Sequence, residues 1–239
     1  MSSPEIFPVA ILAGGLATRL HPLTQNIPKA LIEVAGKPFI CRQLDFLRQQ
    51  GITKVVMCVG YRGEQIEALV GDGKAFGLKV LYSYDGPSLL GTGGALRRAL
   101  LFLSKQFFVL YGDSYLPCDF PAVQKAFVES GKPALMAVLR NEDRWDKSNV
   151  IFREGRIVEY DKLAPNPEMD YIDYGVGILS AAVLESYLEG RVFDLADVYH
   201  ELSLARQLAG FEVHERFYEI GSRHGLKEAE AYFSARDSV

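Results

Sequence analysis

Two cations, Arg19 and Lys29, lie on one segment that opens with adjacent glycines: Leu12-Ala-Gly-Gly-Leu-Ala-Thr-Arg-Leu-His-Pro-Leu-Thr-Gln-Asn-Ile-Pro-Lys29. Neither Gly14 nor Gly15 carries a Cβ, so the backbone there can turn tightly and come close to a ligand. The apolar run Phe7-Pro-Val-Ala-Ile-Leu12 just before them reads as a buried strand. A strand, a glycine turn and paired cations are the parts of a polyphosphate site at the carboxyl end of a sheet strand, with Leu12, Ala13, Gly14 and Gly15 as its backbone wall. The segment contains neither Gly-x-x-x-x-Gly-Lys-Ser/Thr nor Gly-x-Gly-x-x-Gly. On these residues alone, an ordinary βα turn with solvated charges stays open.

A second constellation is Phe107-Phe-Val-Leu-Tyr-Gly-Asp113. Here a carboxylate follows a buried strand and a glycine, the position that faces the ligand crevice in an α/β sheet. A carboxylate opposite a triphosphate is repelled unless a hard cation lies between them. Mg²⁺ fits, because it takes one or two carboxylates plus phosphate oxygens. A helix-capping role for Asp113 is the competing reading. Further along, Gly91-Thr92-Gly-Gly94 opens a helix and offers backbone donors with room for a flat base, or is only a capping turn. Asp161-Lys162, at a strand end, reads by itself as a solvated surface pair.

Taken together, Gly14-Gly-Leu-Ala-Thr-Arg-Leu20 through Pro28-Lys29 and Val34-Ala-Gly-Lys-Pro38 resemble the signature of the sugar-1-phosphate nucleotidylyltransferases, or nucleotide-sugar pyrophosphorylases. That family usually has glycine where Ala17 stands. The resemblance implies a metal-binding role for Asp113 and a second metal carboxylate at Glu219, where the family usually carries Asp. It puts Gly91 and Thr92 beside the nucleobase, with Asp85 standing where the family often has Glu. It implies that Lys162 grips a sugar phosphate, that Asp161 contacts sugar hydroxyls, and that Asp173 and Gly175 line the sugar pocket. The family's Tyr-Gly step before the strand at Val150 is replaced by Trp145-Asp-Lys-Ser-Asn149, with Trp145 readable as a sugar platform or a packing anchor.

The implied reaction is NTP plus a sugar 1-phosphate giving NDP-sugar and pyrophosphate. Arg19 would neutralise the departing pyrophosphate, and Lys29 would bridge phosphates of the two substrates. The compact length and Gly91–Gly94 look like bacterial mannoheptose-1-phosphate guanylyltransferases, which favours GTP. Gly71-Asp-Gly-Lys-Ala-Phe-Gly-Leu78 looks equally like N-acetylmuramate-1-phosphate uridylyltransferases. A cytidylyltransferase acting on a non-sugar phosphate, and a regulatory domain that binds nucleotide sugars without turnover, complete the alternatives.

The elements that must carry these residues alternate through the first half. Strands are expected at Lys54–Val59, Leu78–Tyr84 and Phe107–Tyr111, with helices after Pro38 and over about 64–70 and 93–103. Such repeats predict an α/β fold: a doubly wound, mostly parallel, Rossmann-like mixed sheet flanked by helices. After Pro133 strands dominate, at 134–139, 150–152, 157–160 and 172–179, forming a small sugar-side β subregion. A helix follows Asp194, then a short strand near 217–220 and a last helix over about 225–235. With no linker or repeat, the chain reads as one domain over 1–239, a nucleotide-binding half (1–132) and a sugar-phosphate half (133–239).

The 239 residues suffice for a large core. A net charge of −4, from 26 Lys and Arg against 30 Asp and Glu, argues against a nucleic-acid partner. Three unevenly spaced cysteines give no disulfide framework or zinc site. The four histidines show no ligand spacing. No signal peptide or run of roughly 20 apolar residues is seen, so the expected setting is cytoplasmic, with no membrane partner. Self-association stays open.

Overall fold

The computed structural model describes residues 5–16, 20 and 22–237. In chain order the elements are β1 (Val9–Ala13), a short hairpin of β2 (Glu33–Val34) and β3 (Lys37–Pro38), α1 (Phe39–Gln49), β4 (Lys54–Val59), α2 (Gly63–Val70), β5 (Lys79–Tyr84), α3 (Gly91–Ala99), β6 (Gln106–Tyr111) and β7 (Ser114–Tyr115). There follow α4 (Phe120–Ser130), β8 (Ala134–Arg140), β9 (Val150–Arg153), β10 (Arg156–Tyr160), β11 (Tyr171–Ser180), α5 (Ala181–Glu185), α6 (Leu195–Leu204), β12 (Leu208–Val213), β13 (Tyr218–Glu219) and α7 (Arg223–Asp237).

Nine strands form one sheet in the order β5-β4-β1-β6-β11-β8-β12-β10-β9. The first four run parallel. From β6 onward the sheet turns antiparallel, apart from the parallel β8–β12 pair. The expected mixed, doubly wound sheet is therefore present, with its parallel part in the amino-terminal half. Strict alternation along the strands builds both faces of the core. Val9, Ile11, Val55, Met57, Phe108 and Leu110 pack toward α1, α2 and α4. Ala10, Val56, Cys58, Phe107 and Val109 pack toward α3, α5 and α6. A third cluster joins α7, through Ala229 and Phe233, to Val34, Phe39, Tyr115 and Ile220 beneath the β7–β13 ribbon.

Some elements differ from the sequence expectation. Helix α3 starts at Gly91 and stops at Ala99, earlier at both ends than expected. Helix α4 has no counterpart in the sequence reading. Asp119 caps it by accepting from the Ala122 amide at 3.0 Å, and Phe120, Val123 and Phe127 bury its inner face. Strand β12 was also missed, because its alternation is weak. It is held by pairing with β8, and Gly210 lets the Phe152 ring lie close against its backbone.

Candidate functional site

Strand β1 feeds β4 on one side while β6 lies on its other side, so the winding direction reverses between β1 and β6. Parallel sheets open a ligand crevice at the carboxyl edge of such a reversal. A cavity of about 230 Å³ lies there. Its wall takes Leu12, Ala13, Gly14 and Gly15 from the end of β1 and Cys58 from β4. Asp85 comes from just past β5, and Tyr111, Gly112 and Asp113 from the end of β6. Leu89, Gly91, Thr92 and Ala95 close it from the α3 side, and Lys29 with Ala30 from the turn after the glycine loop.

At one end, the Lys29 ammonium lies 2.8 Å from Oδ2 of Asp113. Ser114 Oγ donates to Oδ1 at 3.2 Å. The two residues come from segments 84 positions apart, and the fold brings them into an ion pair on the cavity wall. Arg19, the other predicted cation, falls outside the described residues.

The turn carrying Asp113 is itself held from three sides. Gly112 N–H donates to Leu12 O at 2.9 Å, and Ile220 N–H donates to Asp113 O at 2.9 Å. From α1, the Gln43 amide donates to Tyr111 O at 2.9 Å and to Ser114 O at 2.7 Å. The remaining amide oxygen, Gln43 Oε1, is buried without a partner, at a cost of about 1–3 kcal/mol.

Glu219 stands opposite Ser114 in the β7–β13 ribbon. It does not line the cavity. Among the described residues no three His, Cys, Asp or Glu side chains converge as a metal-ligand set. A hard cation at Asp113 would therefore draw most of its oxygens from a bound phosphate, which is how Mg²⁺ is commonly held. The carboxylate already has a cation against it in Lys29, so positive charge is accommodated at this spot.

At the other end, Asp85 is buried, and burial pushes its carboxyl above the usual carboxylate range; the Leu90 amide and the Arg98 charge work in the opposite direction. Leu90 N–H donates to Oδ2 at 3.3 Å, and the Arg98 guanidinium donates to the Asp85 and Tyr84 carbonyls at 2.5 and 3.1 Å. Gly14 faces this carboxylate, and a Cβ there would come within 3.5 Å of Oδ2. The Thr92 hydroxyl is committed elsewhere. It donates to the Asp194 carboxylate and accepts the Leu195 N–H at 2.8 Å, so it caps α6. Gly93 and Gly94 abut Phe193 and Arg191, leaving no room for a side chain. The glycine-rich run thus packs α3 onto the 191–195 segment while its first residues face the cavity.

The sugar-side residues lie off the cavity wall. Asp161 closes a turn by accepting the Leu163 and Ala164 amides, both at 2.8 Å, which hold its carboxyl below the usual range. Lys162 beside it is exposed. Asp173 and Gly175 sit where the β11–β8 register shifts, a bulge that Gly175 permits with φ +94°. Asp173 accepts the Gly175 N–H at 2.9 Å, yet desolvation pushes its pKa up to about 6, against the pull of that bond and of Lys162. Its charge also raises the pKa of Tyr111, a cavity residue, after burial itself.

Asn149 ties this side together. Its Oδ1 accepts the Asp173 N–H at 2.9 Å and its carbonyl accepts the Asp161 N–H at 3.0 Å. Trp145 packs edge-on against Phe217 with the Arg216 guanidinium over its ring. The sequence reading passed over Gln43, Tyr111 and Asn149 as site residues. For Gln43 and Asn149 no local pattern marks a side chain whose role is to hold distant backbone.

The nucleotidyl transferase family pattern matches residues 9–149. The N-acetylmuramate alpha-1-phosphate uridylyltransferase of Neisseria meningitidis serogroup B is 42% identical over 113 residues, covering 47% of this chain and 49% of that one. The D-glycero-alpha-D-manno-heptose 1-phosphate guanylyltransferase of Campylobacter jejuni is 35% identical over 141 residues, covering 59% and 62%. The crystal structure of HddC from Yersinia pseudotuberculosis complexed with GMP-PN superposes with a TM-score of 0.78 at 26% identity, over 95% of this chain and all of that one. The chain spans about half to three-fifths of the length of the curated relatives it matches. No described helix is long and apolar enough to cross a membrane.

Proposed function

Because this chain belongs to the nucleotidyl transferase family, we propose that it moves a nucleoside monophosphate from an NTP onto a sugar 1-phosphate, releasing pyrophosphate. The observation that carries this reading is the single cavity wall bearing the Lys29–Asp113 pair at one end and buried Asp85 at the other. That wall suits a ligand with a polyanionic tail and a hydrogen-bonding ring.

The attacking group is already an anionic phosphate oxygen, so the reaction needs no general base. Its barrier comes from repulsion between two polyanions and from loss of orientation. Alignment can supply roughly 7–11 kcal/mol when the geometry is good, and fixed charge much of the remainder. In our reading the backbone at Leu12, Ala13, Gly14 and Gly15 wraps the triphosphate. Lys29 turns from Asp113 to the phosphates as they arrive, and Arg19 neutralises the pyrophosphate. Asp113 would hold Mg²⁺, with Glu219 as the second carboxylate for it. The bound ion would offset charge on the phosphates. Lys162 steadies the incoming sugar phosphate. Asp173 and Gly175 shape the sugar side, and Asp161 keeps the Lys162 turn in place.

GTP is the favoured nucleotide. A carboxylate accepts two hydrogen bonds at once from the adjacent N1–H and N2–H of guanine, whereas uracil offers one imide N–H. Asp85 Oδ2 already takes one amide, and Oδ1 has no other partner among the described residues. The sugar is a heptose or hexose 1-phosphate in this reading, in keeping with the guanylyltransferase relative. We treat residues 1–239 as one domain, with 1–132 serving the nucleotide and 133–239 the sugar phosphate. We place the protein in the cytoplasm, acting without a nucleic-acid or membrane partner.

The test is pyrophosphate release from four NTPs, each offered with heptose, hexose and amino-sugar 1-phosphates and a non-sugar phosphate, with Asp113→Ala as the control. GTP with a heptose or mannose phosphate should turn over fastest, and the control should release no pyrophosphate. Preference for UTP with the amino sugar would reassign the base. Binding without any release would make the protein a regulatory domain.

A further inference from the structure

Gln43 lies in the middle of α1, outside the cavity, and only 3% exposed. Its amide nitrogen gives both of its hydrogens to one short stretch, the carbonyls of Tyr111 and Ser114. Those carbonyls bracket Gly112 and Asp113. The other bonds to this stretch come from backbone, at Leu12 and Ile220. No other described side chain bonds to its main chain. The orientation of the amide is fixed by chemistry: turned over, its oxygen would face two carbonyl oxygens. As it stands, Oε1 is left buried and unpartnered. A buried amide that satisfies two carbonyls and leaves its own oxygen orphaned is placed for those carbonyls rather than for packing.

We propose that Gln43 is a positioning residue for the Asp113 turn, acting from behind the cavity to fix the height at which the carboxylate meets cation and phosphate. The inference rests on the nucleotidyl-transfer reading for its catalytic consequence. Its geometric content, that Gln43 sets the cation affinity of Asp113, can be read without turnover. Active-site groups must be held by neighbours whose own rotamers are locked, and α1 is anchored by Ile40, Leu44 and Leu47 in the core.

The experiment compares wild type with Gln43→Met and Gln43→Glu, and with Asp113→Asn as reference. Mn²⁺ is titrated by electron paramagnetic resonance with and without NTP. Kinetic constants and thermal stability are measured alongside. Methionine fills the same space without donors, so Q43M should keep its fold and its KM for NTP. It should lose about 10–100-fold in Mn²⁺ affinity and in kcat, the range usual for partners that orient a metal ligand. Glutamate has the same shape but sets oxygen against both carbonyls, so Q43E should lose at least as much.

Wild-type Mn²⁺ affinity and kcat in a folded Q43M or Q43E would overturn the proposal. So would a general loss in which KM, kcat and stability fall together. If Q43M does not fold, Q43E decides on the same readouts. A wild type that binds Mn²⁺ through Asp113 yet turns over no NTP would sink the transfer reading alone. The role of Gln43 would then be judged on Mn²⁺ binding.

Discussion

At the scale of single residues, the site contains two carboxylates kept at an energetic disadvantage. Asp85 and Asp173 are both raised by burial. Protein interiors disfavour the ionised form of an acid, so such groups persist where function needs the charge. For Asp173 the consequence for stability has a definite sign. Its folded pKa of about 6 exceeds the ordinary 3.8. Between those values the folded state binds more protons than the unfolded state, so this group's contribution to stability falls as pH rises through the window. Above about pH 6 the full penalty applies, at most about 3 kcal/mol. Asp173→Asn should therefore unfold at higher denaturant than wild type near about pH 8, with the gap closing toward about pH 4, while its response to sugar phosphate weakens. Equal midpoints at both pH values would contradict the burial argument. Asp85→Asn carries a separate expectation, since an amide cannot offer guanine two acceptor sites. The variant should lose about 10–100-fold in kcat/KM for GTP, since a bidentate base contact is worth about 1–3 kcal/mol of discrimination. It should lose much less for UTP. An unchanged ratio in the four-NTP assay would remove Asp85 from base selection.

At the scale of elements, the α3 start has two duties that compete for the same residues. Gly91 and Thr92 face the cavity, while Gly93, Gly94 and the Thr92 hydroxyl fix α3 to the chain entering α6. A Cβ on Gly94 would meet Arg191 O at 2.5 Å, and one on Gly93 would press into the Phe193 ring. Gly94→Ala should cost about 1–3 kcal/mol through overpacking, and Thr92→Ala about 1 kcal/mol through loss of the α6 cap. A run that served only nucleotide binding would leave urea midpoints untouched in both variants. The sequence could not reveal this pairing, because Phe193 and Arg191 lie far along the chain and nothing local marks them as neighbours of a glycine turn. What was legible follows the same logic. Strands β4 and β6, buried on both faces, read as continuous apolar runs. The Gly14-Gly15 turn and the Gly112-Asp113 step carry their chemistry in adjacent residues. Strand β12 escaped notice because its place is set by β8 and by the Phe152 ring over Gly210, not by a pattern of its own. Gln43 and Asn149 escaped for a related reason: each spends its side chain on the backbone of a distant segment.

At the scale of the whole molecule, the cavity sits at the carboxyl edge of the four parallel strands, at the β1–β6 reversal. Every wall of it is contributed by a different stretch of chain. Asp113 reaches the carboxyl-terminal segment through Ile220, and α7 packs beneath that ribbon. A nucleotide seated here would contact strand ends that are far apart in sequence, so binding should stabilise the entire fold rather than one loop. The size of the effect follows from mass action. A ligand at about a hundred times its Kd adds about 2.7 kcal/mol to unfolding, which for a chain of this length is roughly 5–10 °C in Tm. GTP with Mg²⁺ should therefore raise Tm by that amount, with other NTPs trailing at equal concentration. Asp113→Asn should lose the part of the shift that depends on Mg²⁺ and keep the part due to nucleotide alone. Sugar 1-phosphate alone should shift Tm little, because Lys162 is exposed and Asp173 lies off the cavity wall. Its effect should grow once nucleotide has filled the cavity. If no NTP moves Tm at concentrations that saturate related binding sites, the crevice at the β1–β6 reversal is not a nucleotide site, and the proposed reaction falls with it.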